Sequence, residues 1–404
     1  MNKSARFNRS LVTTVIAVGT LYAGAWRAEA DFIQTNLVSD IPGLAAITEP
    51  ELVNPWGISH TAASPIWVSN QGTNTTNLFA VTAGNDVMKV TAVNPPTGNI
   101  AIPTAGSGPA QGPTGQVANT NTSSFPVNGG DGMSAHFIFA NLNGTISAWD
   151  MGPTAFIQVP ASGAIYTGLA INQAQTQLFA ANSAGTGSVD VFNSSFTKVG
   201  TIATPAAISA LNLVPFNVQT LSNGNLAVTY APPGRPAQIA ANPATGPTVG
   251  AVAIFDATGT MLKQTILGTI NGNFNTPLAA PWGVTLAPAS FGPFANDLLV
   301  GNFSFVASEI NVFDSNGNLV GTIPINIGSN MPGGLWALNF GTGGMNGSPD
   351  TLFFTDGING EMNGLFGALN VPGPIVGAGL PGLILACSAL LAFARRRRRQ
   401  LVVA

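Results

Sequence analysis

The chain has 404 residues, of which 7% are charged and 45% are hydrophobic, and its formal net charge is −3. An average soluble domain has about 25% charged residues. The 48 glycines and 29 prolines supply turn positions throughout. This composition is too apolar for an intrinsically disordered chain and is typical of β-strands joined by tight turns.

The N-terminus has the three regions of a secretory signal peptide. Three basic residues occur within the first nine positions, and residues 11–25 form an apolar run. An A-x-A cleavage site follows, with Ala28 and Ala30 placed before Asp31. Because the apolar run is short for a membrane-spanning helix, the sequence predicts that residues 1–30 are cleaved and that the rest is exported.

The C-terminus combines a short Pro-Gly motif, an apolar segment and a basic end over residues 371–400. Residues 375–394 carry no charge, and a helix of this length spans about 30 Å, the thickness of the hydrocarbon core of a bilayer. The sequence therefore predicts a transmembrane helix at 375–394. The basic run after it, which contains Arg395, Arg396 and Arg397, is expected on the cytoplasmic side.

Removal of the two ends changes the charge of what remains. Residues 31–370 contain four basic residues, Lys89, Lys198, Arg235 and Lys263, and fifteen acidic ones, a formal charge of −11. Such a domain has no cluster of Lys and Arg to neutralise phosphates, so nucleic acid is excluded as a partner. The single cysteine, Cys387, lies in the apolar tail, and the exported domain must be stable without disulfides.

One pattern recurs six times between residues 31 and 370. Each copy has a small-residue or Trp-containing segment, an apolar strand that ends in a polar or aromatic residue, and in most copies an alternating strand and a fourth strand. The apolar strands are IWVSN (66–70), FIFAN (137–141), LFAAN (178–182), LAVTY (226–230), LLVGN (298–302) and LFFTD (352–356). Repeated four-stranded antiparallel units without helical periodicity predict an all-β, six-bladed β-propeller.

The sixth copy has no fourth strand of its own, because the chain runs from Leu369 almost directly into Val371 and Pro372. The segment FIQTNLVSD (32–40) precedes the first copy and has no local partner. An unpaired blade edge promotes aggregation. We therefore expect the N-terminal strand to complete the last blade and close the ring.

The ordered motifs resemble an uncharacterised family of exported bacterial β-propeller proteins with NHL-like repeats. The motifs include NPWGIS (54–59), FIFANLNGTISAWD (137–150), PFNVQTLSNGNLAVTYA (215–231) and APWGVTLAPASFGPFANDLLVGNF (280–303). The resemblance covers nearly all of the exported domain. It implies the fold and an exported protein, and it carries over no catalytic residue.

The tail resembles the PEP-CTERM sorting signal, which is also known as the C-terminal domain of ice-binding proteins. The motif here is Val371, Pro372, Gly373 and Pro374, and Gly373 stands where the usual signature has Glu. The resemblance implies a surface-directed protein of a Gram-negative bacterium and an exosortase-like sorting protease as a partner.

The best candidates for a ligand site lie near the innermost strands, which line the central channel of a propeller. Indole rings stack on sugars and amides hydrogen-bond to them, so a polar neutral ligand is expected there. The candidates are Asn54, Trp56, Asn217, Gln219, Trp282 and Trp336. An alternative is that the three tryptophans are core residues between blades, with Gly57 and Gly283 allowing close backbone approach.

Few residues in the exported domain are suited to catalysis. His60 and His136 are its only histidines and have no third ligand in sequence range, so no metal site and no cofactor are predicted. The residues that close several alternating strands, Asp150, Asn193, Asp256 and Asp314, are expected to cap turns.

These features predict a binding or structural module of the cell envelope or extracellular matrix, associated with extracellular polysaccharide. It would be anchored in the inner membrane at least transiently and then sorted to the surface. The alternative is a propeller hydrolase or lyase with a divalent cation in the channel, in which Glu49 and Glu51 would reach the channel mouth.

The intact mass of the mature protein tests the predictions for both ends. We expect a chain that begins at Asp31 and has lost the arginine run, because the propeller is complete near Leu369 and a short linker joins it to the helix. A mature C-terminus that still carries residues 395–399 would rule removal out.

Overall fold

The structure is a computed structural model that describes residues 32–91, 98–104, 111–242, 249–263, 278–303 and 305–371. The predicted signal peptide, including Ala28, Ala30 and Asp31, lies outside the described residues. So do the predicted transmembrane helix, the sorting motif after Val371 and the arginine run. In the described part of the chain, no helix is long and apolar enough to cross a membrane.

Twenty-six strands account for nearly all regular structure in the described residues. The first fifteen are β1 Ile33–Ser39, β2 Ile47–Thr48, β3 Pro55–Ser59, β4 Ile66–Asn70, β5 Thr75–Val81, β6 Val87–Lys89, β7 Asn99–Ala101, β8 Gln116–Ala118, β9 Phe137–Ala140, β10 Ile146–Trp149, β11 Phe156–Val159, β12 Tyr166–Ile171, β13 Gln177–Asn182, β14 Ser188–Asn193 and β15 Lys198–Ala203.

The short helix α1 (Ala206–Ser209) comes next, and α2 (Arg235–Ile239) lies between β17 and β18. The remaining strands are β16 Val214–Thr220, β17 Leu226–Ala231, β18 Ala251–Phe255, β19 Met261–Lys263, β20 Pro281–Leu286, β21 Leu298–Asn302, β22 Glu309–Phe313, β23 Leu319–Pro324, β24 Leu335–Phe340, β25 Leu352–Asp356 and β26 Leu365–Asn370.

These strands form six sheets, which confirms the six-bladed propeller with four-stranded antiparallel blades. Blades one to five contain β3–β6, β8–β11, β12–β15, β16–β19 and β20–β23. The outer position of blade one is shared, because β5 pairs with β6 along one part and with β7 along another. Second strands such as β4 and β25 are buried throughout, as expected for strands covered on both faces by neighbouring blades.

The sixth blade is closed by the N-terminal strand, as the sequence predicts. Strand β1 pairs antiparallel with β26, from Ile33 opposite Asn370 to Ser39 opposite Leu365. Strand β2 adds a short parallel pairing to the outer edge of β1. This closure joins the two ends of the propeller in one sheet, in which β24, β25 and β26 supply the first three strands, β1 the fourth, and β2 a short fifth strand at the edge.

The turn-capping prediction holds, with one variation. Asn193, Asp256 and Asp314 each accept hydrogen bonds through Oδ1 from the backbone N–H groups two and four residues later, at 2.9–3.0 Å. Asp150 instead accepts from the backbone N–H of Asp131, at 2.9 Å, and so fixes a longer loop. Each carboxylate or amide satisfies backbone donors that a tight turn leaves free.

A buried polar pair recurs where the second strand of a blade ends. The terminal Asn donates to a residue on the third strand, and the pairs are Asn70 with Asn77, Asn141 with Ser147 and Asn182 with Asp190. In blade six the corresponding residues are Asp356 and Gly367 by strand register. Because glycine has no side chain, Asp356 lacks the partner that blades one, two and three provide.

Asp356 is consequently a buried carboxyl group without a hydrogen bond. It is fully buried, and neither of its oxygens, nor the hydroxyl of the nearby Ser308, has a partner that meets hydrogen-bond geometry. Burial disfavours the charged form and raises the pKa of Asp356 to about 7. The folded protein therefore holds a proton on this group over a pH range in which the unfolded chain does not.

Asp356→Asn is expected to flatten the pH dependence of stability. A carboxyl pKa raised from about 3.9 to about 7 lowers the free energy of unfolding as pH rises through that range, by at most about 4 kcal/mol. Denaturant titrations at about pH 5 and about pH 8 measure this slope. The matched control Asp86→Asn removes an exposed carboxylate, and its free energy of unfolding should keep the pH dependence of the unaltered chain. An unchanged slope in Asp356→Asn would contradict the raised pKa of Asp356.

Candidate ligand-binding site

Bulges in the innermost strands aim large side chains at the propeller axis. The register shifts by a bulge in five of the six innermost strands, β3, β12, β16, β20 and β24. A bulge bends the strand and re-aims its side chains. In blades one and five the bulge follows a residue in the left-handed region, Asn54 with φ 46° and Ala280 with φ 48°, and the tryptophan after the next proline then points inward.

Three tryptophans from three blades meet on the axis. Trp56 and Trp336 stack with ring centroids 3.6 Å apart, and Trp282 packs edge-on against both, at 5.9 and 5.7 Å. Phe216 and Phe303 complete the group, and Phe303 stacks on Trp336 at 4.6 Å. All five rings are at most 3% exposed. We call this group the aromatic plug, because it fills the centre of the ring.

Glycines bring the inner strands too close together for an open channel. A Cβ at Gly57 would lie 2.6 Å from the carbonyl oxygen of Thr114 on the next blade, and one at Gly283 would overlap the carbonyl oxygen of Trp336. Beyond the plug the axis contains a cavity of about 10 Å³, lined by Asn217, Gln219 and other inner-strand residues. A space of that size holds about one water molecule.

A much larger cavity, of about 650 Å³, opens above the plug on one face of the propeller. We call it the mouth cavity, and its face the mouth face. Its walls are the segments that enter the first strands and the loops that follow the second strands. The lining residues are Asn54, Trp56, Gln71, Gln111, Leu142, Asn143, Gly163, Ala164, Ile165, Thr167, Ser183, Phe216, Gly234, Arg235, Gln238 and Glu361. Five of them carry side-chain amides.

Helix α2 places Arg235 over the aromatic plug. Gly234 has φ 83°, a conformation that favours glycine, and turns the chain into the helix. The guanidinium carbon lies 4.2 Å from the ring centroid of Phe303, 5.4 Å from that of Trp336 and 5.6 Å from that of Trp56. Desolvation lowers the pKa of Arg235 to about 9. Because this value is still above neutral pH, the guanidinium stays charged.

The guanidinium of Arg235, which belongs to blade four, pairs with Glu361 of blade six. Glu361 Oε1 also accepts a hydrogen bond of 3.0 Å from Asn54 Nδ2, which donates to Gln71 Oε1 at 2.9 Å. Asn54 Oδ1 in turn accepts from Trp336 Nε1 at 3.0 Å. Ion pair, amides and plug therefore form one connected network, in which each side chain is held by another.

The structure brings the predicted site residues together in two places. Asn54 and Trp56 line the mouth cavity, while Asn217, Gln219 and Trp282 line the small axial cavity. Trp336 is 0% exposed within the plug. The indole donors of Trp282 and Trp336 are satisfied by Thr167 O and Asn54 Oδ1, whereas Trp56 Nε1 has no partner among the described residues.

Sequence reasoning missed most of the mouth cavity. Helix α2 belongs to a segment between β17 and β18 that has no strand periodicity, yet it supplies Arg235 and the 5%-exposed Gln238 to the cavity wall. Glu361 lies on the loop that follows β25, the second strand of blade six, and no pattern in the sequence pointed to it. One signal was available, since Arg235 is the sole arginine between residues 31 and 370.

The remaining titratable candidates lie elsewhere. The ring nitrogens of His60 lie 2.9 Å from the carbonyl oxygen of Phe340 and 3.2 Å from that of Thr61, and burial lowers its pKa. His136 is exposed. Glu49 pairs with Lys89 on the outer strand of blade one, and neither it nor Glu51 lines the mouth cavity. The described residues contain no group of three or more potential metal ligands.

Comparisons with known proteins do not assign the chain to a family. No family profile matches. An uncharacterised protein of Acanthamoeba polyphaga mimivirus is 27% identical over 315 residues, which cover 74% of this chain and 70% of the viral protein.

Solved structures match the chain at low identity and with TM-scores below 0.5. Streptogramin B lyase is 12% identical, with a TM-score of 0.44 over 84% of this chain and 97% of the lyase. A Bacteroides thetaiotaomicron protein of unknown function has 11% identity and a TM-score of 0.44 over 79% of this chain and 70% of its own. A Bacteroides caccae protein of unknown function has 12% identity and a TM-score of 0.33. That match covers 55% of this chain and 61% of the Bacteroides caccae protein.

Trp336→Ala tests the structural importance of the aromatic plug. Loss of a fully buried indole should lower the free energy of unfolding by about 3–5 kcal/mol, because the neighbouring side chains on the axis cannot move in to fill the cavity that the substitution leaves. Denaturant titration measures the loss. Trp149→Ala, at a half-buried position on β10, is the control and should cost clearly less. Equal costs would show that the plug does not dominate the core.

Proposed function

We propose that this protein is an exported binding module whose mouth cavity holds a segment of extracellular polysaccharide. The observation that carries the proposal is the lining of that cavity, where five amide side chains surround a floor of Trp56, Phe216 and the overlying Arg235. Amides both donate and accept hydrogen bonds, as sugar hydroxyls do. The volume of about 650 Å³ lies in the range of ligand pockets.

The direction of the strands supports a role at a surface. First strands begin at the mouth face, so third strands end on the opposite face, which we call the base face. Strand β26 is a third strand, and its last residue, Asn370, pairs with Ile33 at the start of β1. Both ends of the propeller therefore leave from the base face. A chain attached through residues 371–404 would present its mouth cavity away from the attachment.

The rest of the proposed cycle follows from the two ends of the sequence. Export would remove residues 1–30, the helix at 375–394 would hold the chain in the inner membrane, and an exosortase-like protease would act near Pro372. The product would be a propeller at the cell surface or in the matrix. The divalent-cation hydrolase or lyase remains the competing proposal, and it requires that a chelator abolish activity and lower the thermal midpoint.

A glycan array with the purified full-length chain tests the binding proposal. We expect retention of the exopolysaccharide of the producing cell and of oligosaccharides related to it. Gln111→Ala should weaken this binding by about tenfold, because it removes one double-sided hydrogen-bonding group from the cavity wall.

The matched control is Gln173→Ala, which shortens an exposed glutamine after β12, on the base face. Its binding should equal that of the unaltered chain. Absence of binding to every glycan, or equal loss in the two variants, would count against a polysaccharide site in the mouth cavity.

A further inference from the structure

The charges of the mouth cavity cancel within it. Of its sixteen lining residues only Arg235 and Glu361 are charged, and they form an ion pair with each other. The other polar lining groups are amides and the hydroxyls of Thr167 and Ser183. A ligand that enters the cavity therefore meets no uncompensated charge of either sign.

A second anion could pair with the guanidinium of Arg235 only by disturbing the contacts that already hold it. It rests against Phe303 at 4.2 Å and pairs with Glu361, which Asn54 also holds. A ligand carboxylate that approached Arg235 would lie beside the Glu361 carboxylate, and like charges at such separations repel strongly in a partly desolvated site.

The field of the whole domain acts in the same direction. Residues 31–370 have a formal charge of −11, which repels polyanions over distances set by the salt concentration. In the described residues the other ion-paired cations are Lys89 and Lys198, which are bound to Glu49 and Asp190. Neither lines the mouth cavity.

Together these observations define a ligand class, given that the proposed polysaccharide function holds. We propose that the mouth cavity is selective for uncharged, polyhydroxylated polysaccharide and rejects polyanionic polysaccharide, with Glu361 as the residue that sets this selectivity. The amides and the ion pair supply donors and acceptors for neutral hydroxyls. Glu361 withholds the charge of Arg235 from carboxylates and sulfates.

The test compares neutral polysaccharides with negatively charged counterparts. The purified full-length chain is titrated with dextran and with carboxymethyl dextran of equal length, and with neutral and uronate-rich polysaccharides on an array, at low and at high salt. We expect the neutral member of each pair to bind about tenfold or more tightly at low salt. The affinity of the chain for the neutral member should change little with salt.

Glu361→Gln should reverse part of this preference. The amide keeps the shape but frees the charge of Arg235, so binding of carboxymethyl dextran should rise by about tenfold. Asp86→Asn is the matched control, because it makes the same change in net charge at an exposed turn after β5, on the base face. Equal thermal midpoints of the two variants establish that both are folded.

The outcomes separate the two proposals. Preference for the carboxymethylated or uronate-rich members would overturn the selectivity for uncharged ligands and leave the polysaccharide function standing. Binding of neither class would overturn both. An equal effect of Glu361→Gln and Asp86→Asn would show that the selectivity comes from net charge and not from Glu361. The comparison within the unaltered chain decides the ligand class even if Glu361→Gln fails to fold.

Discussion

The contact on which the structure depends most is the packing of Trp56, Trp282 and Trp336 on the propeller axis. Trp56 and Trp336 stack at 3.6 Å, with Trp282 edge-on against both. A propeller with an open channel would expose the inner edges of all its blades to water. Here large aromatic side chains from separate blades fill that space, and the burial of their surfaces ties together parts of the chain that are far apart in sequence.

The plug also determines where a ligand can bind. The mouth cavity lies above the filled axis, and the plug residues Trp56 and Phe216 form part of its floor. Arg235 of blade four lies on that floor and pairs with Glu361 of blade six. Under the proposed function, stability and recognition share residues, because Asn54 holds Trp336 on one side and Glu361 on the other.

The sequence predicted the repeating part of the fold well. Six apolar strands and their alternating neighbours are local patterns, and counting them also left the N-terminal segment as the strand that closes blade six. The direction of the tryptophans was also readable, since NPWG and APWG place a proline, an indole and a small residue at the start of an inner strand. Because these tryptophans form the plug, they are core residues as well as neighbours of the cavities on the axis.

The site itself could not be read in the same way. Arg235 belongs to an insertion without periodicity, and its position over Phe303 depends on where Gly234 turns the chain. Glu361 has no marker in the sequence, because its role arises from a residue of another blade. Asp356 resembles its Asn counterparts in sequence, and its isolation follows from Gly367 on the adjacent strand. Each of these features depends on contacts between distant segments.

The most direct measurement of the central claim is a crystal structure of the full-length chain with an oligosaccharide from the exopolysaccharide of the producing cell. The account predicts sugar density in the mouth cavity, with hydroxyls hydrogen-bonded to Gln111, Arg235 or Glu361 and the aromatic plug unchanged beneath it. Sugar density on the base face or between blades, with an empty mouth cavity, would contradict it.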